Sequence, residues 1–285
     1  MAKEARKMKR VLLALLIACF LINLVPANSY AKEAETTVHY GMYSWDGFEY
    51  TGKDIYYIRS LKDGVKAICD YNIKTKKNRI VKKVRTSDIY DLTVVDNYMF
   101  FVKNDVDKWS LSDGVICKMD LKTKRVTKFT IGNRILGTDD KKSMLLCERY
   151  EKDTKTAHNF DVELEKVWLD LDGKEVSGYS TKNYKTVDRY EVNSPKRGGA
   201  VAKSMGKFDK SHNKTKVVYK TKSGKTIDIA KYSYPIQTYN FGDYSLVEYG
   251  YYGPYIYNPA GLDVKPLKKH AVIIKHNGKN KKKLY

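Results

Sequence analysis

Five histidines, His39, His158, His212, His270 and His276, are the first place to look for metal or acid–base chemistry. None stands in a His-x-x-x-His or comparable ligand spacing. His270 and His276 flank an apolar run that reads as a strand, which separates them by roughly 20 Å at about 3.3 Å per residue, too far to share one ion. The stretch from Gly199 to Gly206-Lys207 imitates a phosphate loop, but six residues lie between its glycines where four are required. Phe208 also stands where a Ser or Thr would hold magnesium. No Gly-x-Ser-x-Gly elbow occurs, so a serine-hydrolase reading has no anchor. Asp170-x-Asp172-Gly173 opens like a calcium loop without the later ligands and closing Glu, and a hairpin turn accounts for it. Glu163 and Glu165 fall on one face of a strand, as two glycosidase carboxylates would, but nothing selects them over the other acidic residues. No catalytic, metal-ligating or cofactor-binding set is assigned, and no cofactor is expected.

Two patches remain as interaction surfaces. The first is basic. Residues 196–231 carry eleven Lys or Arg against Asp209 and Asp228, and residues 265–285 carry eight Lys and no acid. Lys196, Arg197, Lys279, Lys281, Lys282 and Lys283 are the candidate polyanion-binding residues, the last four on a segment, 279–285, expected to be a mobile, solvated tail. The second patch is aromatic: Tyr244, Tyr249, Tyr251, Tyr252, Tyr255 and Tyr257, with glycines between them. Tyr249, Tyr251 and Tyr255 are its candidates for stacking on sugar rings or anchoring a partner, since tyrosine offers area and a polar tip. The competing reading puts these rings inside the packing between sheets. Adjacent Tyr251 and Tyr252 face opposite ways on a strand, so both cannot serve one site.

The elements that must carry these residues are strands. Short runs rich in Tyr, Ile and Val alternate with Asp, Asn, Gly and Lys turns, the pattern of an all-β chain. The runs repeat. Ile55-Tyr56-Tyr57-Ile58, a Lys62-Asp63-Gly64 turn and Ala67–Lys77 are matched by Met99-Phe100-Phe101-Val102, a Ser112-Asp113-Gly114 turn and Val115–Arg125, with offsets of 44 and 48 residues. A fainter third copy joins Met144–Cys147 to Val167–Lys174. Ala200-Val201-Ala202 with Val217-Val218-Tyr219 and the Ser223-Gly224 turn supplies a fourth, and Tyr244–Val247 with Tyr255–Gly261 a fifth. The closing Ala271–Ile274 is expected to pair with the segment near Val38–Tyr50. A four-stranded unit every 40–50 residues or so is the signature of a propeller blade, because one small sheet cannot cover both of its faces and must stack against neighbours. Residues 32–278 are therefore expected to form repeated four-stranded blades of a five- or six-bladed β-propeller, with paired β-sandwiches or an open repeat as the structural alternative.

The quoted Ile-Tyr-Tyr-Ile and Ile-Cys-Asp-Tyr-Asn-Ile-Lys-Thr-Lys-Lys blocks resemble secreted bacterial proteins whose propellers are similar to those of low-density-lipoprotein receptors. The resemblance covers residues 50–175. It implies a binding scaffold and brings no catalytic residue across.

Upstream, Lys3, Arg6, Lys7, Lys9 and Arg10 precede an apolar run from Val11 to Val25, with Pro26 and a Ser29-Tyr30-Ala31 site after it. Basic end, apolar middle and small-x-Ala site in that order read as a secretory signal over residues 1–31. The run is shorter than the roughly 20 residues that span a bilayer. A retained anchor, or lipidation at Cys19 within Leu16-Ile17-Ala18-Cys19, are the alternative readings. Both leave the protein outside the cytoplasm or on the cell envelope.

Removing that leader leaves 254 residues and takes the formal charge from +21 to about +17. Lysine dominates, 44 against 10 arginines. Arginine's planar fork is the usual reader of phosphate and bases, whereas lysine is a flexible point charge, so the field is diffuse. It suits an anionic cell-wall polymer, a membrane surface or an acidic polysaccharide, and argues with the export signal against nucleic acid. AT-rich codon usage is the competing explanation of the lysine count. Cys69, Cys117 and Cys147 are odd in number and set in apolar runs, which reads as buried thiols rather than a disulfide framework. The resulting expectation is a secreted, non-enzymatic binding protein, with a polysaccharide-active hydrolase or lyase on the same scaffold as the alternative.

Overall fold

The computed structural model describes residues 37–40, 47–86, 88–104, 114–150, 164–194, 196–207, 213–251 and 268–285. Residues 1–31, expected to be a leader, lie outside them. Among the described residues every regular element is a strand, and the strands form five sheets. Strand β1 (Thr37–Tyr40) belongs to the third of these. The first sheet is β2 (Phe48–Tyr50), β3 (Asp54–Ser60), β4 (Val65–Asn72) and β5 (Asn78–Arg85) in that order, and the second is β6 (Asp88–Val95), β7 (Tyr98–Asn104), β8 (Gly114–Asp120) and β9 (Val126–Ile131). The third contains β10 (Arg134–Asp139), β11 (Met144–Tyr150) and β12 (Leu164–Leu169), extended past β10 by β1 and then by β13 (Lys185–Asp188), which pairs with β1 in parallel. After β14 (Glu191–Val192) the fourth sheet is β15 (Gly198–Lys207), β16 (Asn213–Thr221) and β17 (Thr226–Lys231). The fifth is β18 (Ser233–Phe241), β19 (Tyr244–Tyr251), β20 (Lys268–Lys275) and β21 (Lys282–Lys283), with β14 beside β18. Successive antiparallel meanders of about four strands, packed through their faces, make this an all-β chain of repeated propeller blades.

The apolar runs explain why. In a strand, neighbouring side chains point to opposite faces, so a continuous run is stable only where both faces are covered. Of the first sheet, Ile55, Tyr57, Cys69 and Tyr71 pack on one side with Tyr239, Phe241 and Leu246 of the fifth sheet. The interleaved Tyr56, Ile58 and Ile68 pack on the other side with Met99, Phe101 and Cys117 of the second. Phe100 and Ile116 of the second sheet then meet Leu145 and Cys147 of the third. In the fifth sheet, Leu246 and Ile273 face the first sheet while Val247, Val272 and Ile274 face Val217 and Tyr219 of the fourth. The remaining face of the third sheet, with Leu146 and Trp168, is covered by Val176, Tyr179 and Tyr184. The three cysteines are buried free thiols.

Turns at 72–77, 120–125 and 170–174, in the first three sheets, share one device. Asn72 Oδ1 accepts from Thr75 N at 2.8 Å, Asp120 Oδ1 from Thr123 N at 2.7 Å and Asp170 Oδ1 from Lys174 N at 2.9 Å. These are side chains folding the backbone back on itself. Each turn takes a residue of positive φ, Lys76 at 59°, Lys124 at 60° and Gly173 at 82°, as the later turns do at Gly224 and at Gly278 and Asn280. Asp170-x-Asp172-Gly173 is thus a turn, as expected.

Two expectations are corrected. Ala271–Ile274 does not pair with the segment near Val38–Tyr50. It pairs with β19 and β21, while β1 joins β10 and β13 and β2 joins β3. Among the described residues no strand is shared between the first and fifth sheets, which meet through side chains and through hydrogen bonds to the Leu284 carbonyl. Nor do residues 279–285 form a mobile tail. Lys282 and Lys283 pair with Ile273 and Val272, and Leu284 N donates to Ala271 O at 2.9 Å. Leu284 is 4% exposed in the core between the fifth and first sheets, and its carbonyl accepts from Tyr57 Oη at 3.2 Å. Tyr285 stacks on Tyr57 with centroids 5.5 Å apart. The lysines that look like a solvated tail are the solvent side of an outer strand, and the apolar Leu284 after them supplies the anchoring contact.

Leu284→Ala is expected to cost about 2–3 kcal/mol, the usual loss for a buried leucine, read as a lower urea midpoint. Lys283→Ala, at an exposed neighbouring position, is expected to stay within about 0.5 kcal/mol. Equal midpoints for the two variants would restore the free-tail picture.

Candidate functional site

The two basic segments meet in space. Gly278, in the last hairpin of the fifth sheet, lies so close to β17 that an added Cβ would come within 2.8 Å of Ile227 Cδ1 and 3.3 Å of Thr221. Just beyond it, Lys281 Nζ donates to Asp228 O at 2.8 Å. Lys279, Lys282 and Lys283 are exposed beside it. At the start of β15, Lys196 is exposed, and Arg197 is placed by Glu191, with Nη2 3.1 Å from Oε1. Its backbone carbonyl accepts from Tyr219 Oη at 3.4 Å. Arg197 also faces His276, whose pKa is held below the ordinary imidazole range by burial first, with the Arg197 charge acting the same way. The six basic candidates thus lie along the fourth and fifth sheets, although Arg197 spends part of its charge on Glu191.

Asp228 is the acid at the centre of this region. Both of its carboxylate oxygens accept from Lys216 Nζ at 2.8 Å. That hydrogen bond is the main reason its pKa is lowered, and the charges of Lys216, Lys203 and Lys231 act in the same direction. Lys216 thus holds the carboxylate directly, and the charges of Lys203 and Lys231 on the same sheet add to its effect.

The tyrosine patch is divided. Tyr249 is 4% exposed and packs between the fourth and fifth sheets, against the ring of His270 at 5.5 Å. It belongs to the core and is not available to a ligand. Tyr244 is partly buried, with Lys275 Nζ 5.4 Å above its ring. Tyr251 ends β19. Tyr252, Tyr255 and Tyr257 lie outside the described residues.

The other sequence features also find their places. His270 and His276 are partly buried and hydrogen-bonded, to Tyr285 O at 3.0 Å and Tyr244 O at 2.9 Å. They are structural partners rather than free surface groups. Glu165 pairs with Arg149 at 2.6 Å, and Glu163 lies outside the described residues. Gly199 and Gly206 sit within β15, an extended strand that cannot wrap a phosphate as a loop does. Among the described residues no three His, Cys, Asp or Glu side chains gather as metal ligands.

Sequence reasoning missed a buried polar cluster where the first and third sheets approach. Arg189, between β13 and β14, donates from Nη1 to Glu49 Oε1 at 2.6 Å and from Nη2 to Asp140 Oδ1 at 2.5 Å. It also donates to Thr138 Oγ1. Tyr190 Oη donates to Glu49 Oε2 at 3.0 Å and accepts from Tyr50 N at 3.0 Å. Glu49 is fully enclosed, and burial, opposed by the Arg189 charge, pushes its pKa up to about 7. Nearby, Asp91 of β6 accepts from Ile135 N of β10 at 3.0 Å, and burial pushes its pKa up to about 6. The enclosure of Glu49 and its two side-chain partners, Arg189 and Tyr190, describe a clasp between sheets rather than a reactive acid. Only the placement of a glutamate between Phe48 and Tyr50 hinted at it, and that gives no partner.

Comparison with family models and with curated protein sequences finds no match. Solved structures with a similar course of chain include TolB from Acinetobacter baumannii (15% identity, TM-score 0.33, 82% of this chain and 52% of that one). The β-propeller domain of the Trilobed protease from Pyrococcus furiosus (13%, 0.32, 86% and 71%) is another. A third is the tricorn protease (10%, 0.35, 83% and 26%). The chain spans about half of the TolB chain and a quarter of the tricorn chain.

The raised values of Glu49 and Asp91 set a pH dependence. Each folded-state pKa lies above its unfolded value, so the folded state holds the extra proton. The stabilisation is complete below about pH 4 and is lost as pH rises through 6 and 7. Urea midpoints are expected to fall between pH 5 and 8. Glu49→Gln, which keeps the shape and cannot ionise, is expected to flatten the upper part of that decline. An unchanged slope in the variant would remove Glu49 as its source.

Proposed function

We propose that the protein is an exported, non-enzymatic binding protein that holds an anionic polymer of the cell envelope. The observation that carries this reading is the meeting of residues 196–231 with residues 278–283, anchored by Gly278 on Ile227 and by Lys281 on the Asp228 carbonyl. Two basic stretches separated in sequence become one positive surface across two sheets. Lysine side chains hold it, so the attraction is long-range, tolerant of ligand geometry and sensitive to salt. The order of basic, apolar and small residues in 1–31 supports export, and wall polymers are then the polyanions the protein would meet.

Purified protein is expected to sediment with isolated bacterial cell wall at about 0.1 M salt and to be released towards 1 M, as the screening length falls from about 10 Å to about 3 Å. Retention is expected to disappear when the anionic polymers are stripped from the wall. Salt-resistant retention on stripped wall would point instead to uncharged sugar recognition. Absence of retention under every condition would end the reading. Expressed with its leader in a bacterial host, the exported protein is expected to begin at Lys32. A product that keeps residues 1–31, or one that begins at Cys19, would replace cleavage after Ala31 with an anchor.

A further inference from the structure

Among the described residues, four sheet-to-sheet interfaces are packed: fourth on fifth, fifth on first, first on second and second on third. The third sheet covers its far face with the segment around Tyr179. That leaves one face of the fourth sheet with no apolar cluster on it. The strand register shows what it carries. Lys203 of β15 stands directly opposite Lys216 of β16, which stands directly opposite Lys231 of β17. Directly paired residues project from the same face, so the three ammonium groups form a row across the strands, about 10 Å long at an inter-strand spacing near 4.8 Å. The next rows are Val201–Val218–Asp228 and Gly199–Lys220–Thr226. Val201 is 46% exposed, and Lys203, Lys220 and Lys231 are exposed, while Val218 in the middle strand is buried.

Like charges directly opposite one another destabilise a sheet. Asp228 relieves Lys216, whose ammonium it grips with both oxygens. No ion pair to Lys203 or Lys231 is formed among the described residues. A row of like charges that repels itself is stabilised by an anion laid along it. The line of charge continues round the free edge of β17 to Lys281, so the complementary ligand is longer than the row and carries its charges in series. Val201, Val218, Gly199 and Thr226 lie between the lysines, with no aromatic ring for a sugar and no guanidinium fork. Recognition there is by charge alone, which suits the point charge of lysine on phosphate.

Building on the polyanion reading above, we propose that the open face of the fourth sheet is the principal docking surface for a linear phosphate polymer, which crosses the strands along Lys203, Lys216 and Lys231 and continues towards Lys281.

The test measures binding of inorganic polyphosphate to the purified protein by fluorescence anisotropy over a salt series. The row variant is Lys203→Gln/Lys216→Gln/Lys231→Gln. A control with the same charge change elsewhere, Lys83→Gln/Lys122→Gln/Lys128→Gln, uses exposed positions of the first two sheets. The row variant is expected to lose at least tenfold in affinity and two to three units of the log–log salt slope, by analogy with about 0.9 per neutralised phosphate on DNA. The control is expected to change affinity less than threefold. Lys216→Gln also gives up the ion pair to Asp228, so Lys203→Gln/Lys231→Gln, which keeps that pair and removes only like charges, is measured beside it. This double variant is expected to lose affinity while melting no lower than wild type at low salt, which separates loss of binding from loss of fold. Equal losses in the row variant and the control would overturn the docking surface and leave the broader reading standing. No binding by the wild type to polyphosphate, polygalacturonate or anionic vesicles would overturn both. Binding to polygalacturonate or vesicles without polyphosphate would overturn the phosphate assignment.

Discussion

The contact between the first and fifth sheets is the one on which the rest of the structure depends. No described strand bridges them, and the join rests on Phe48, Tyr57, Tyr239, Phe241, Leu246 and Leu284. Phe48 alone packs against three rings, those of Tyr190, Tyr239 and Phe241, at centroid distances between 4.6 and 5.6 Å. Aromatic groups bury large areas, which suits an interface that has no backbone ladder to help it. The Glu49–Arg189–Tyr190 clasp adds direction to a contact that is otherwise only adhesive. A buried ion pair is weak evidence for stability in itself. Its use here is to fix the approach of three segments, β2, the end of β10 and the link after β13.

Blade grammar was legible because burial on two faces writes a strong signal. Ile55-Tyr56-Tyr57-Ile58 and Met99-Phe100-Phe101-Val102 are apolar without alternation, and each residue proves to face one of two cores. The turns were legible too, since Asp170 and Gly173 have few other uses side by side. Long-range pairing was not. Nothing local tells β1 to run beside β13, or Ala271–Ile274 to take β21 as a neighbour, because such choices are settled by which edges remain free once the meanders have formed. The lysines near the end of the chain misled for a related reason. An outer strand with one wet face has the composition of a solvated tail, and Leu284 is too short a signal to correct it.

The functional surface was half legible. Composition pointed to lysine, and the segments 196–231 and 279–283 were identifiable by charge. Their meeting was not, because Gly278 and Ile227 approach only when the last hairpin folds beside β17. The row formed by Lys203, Lys216 and Lys231 also depends on register, and the bulge between Val217 and Val218 shifts that register within β16. A slip of one residue would send these side chains to the other face, into Val247 and Ile274. Of the aromatic patch, Tyr249 went inward, into the packing between the fourth and fifth sheets, as the competing reading of these rings had it.

The position of Leu284 has a consequence for the order of events during folding. Tyr57 and Leu284 are hydrogen-bonded across 227 positions of sequence. Contacts of such separation are slow to form, because the entropy of closing the intervening loop is lost before any of it is recovered. The first sheet can assemble its own meander and its packing on the second from residues close in sequence, whereas its other face is covered only by strands far along the chain, Leu284 among them. That seam is therefore the slow one to form, and the face it covers is the one an incompletely folded chain leaves exposed.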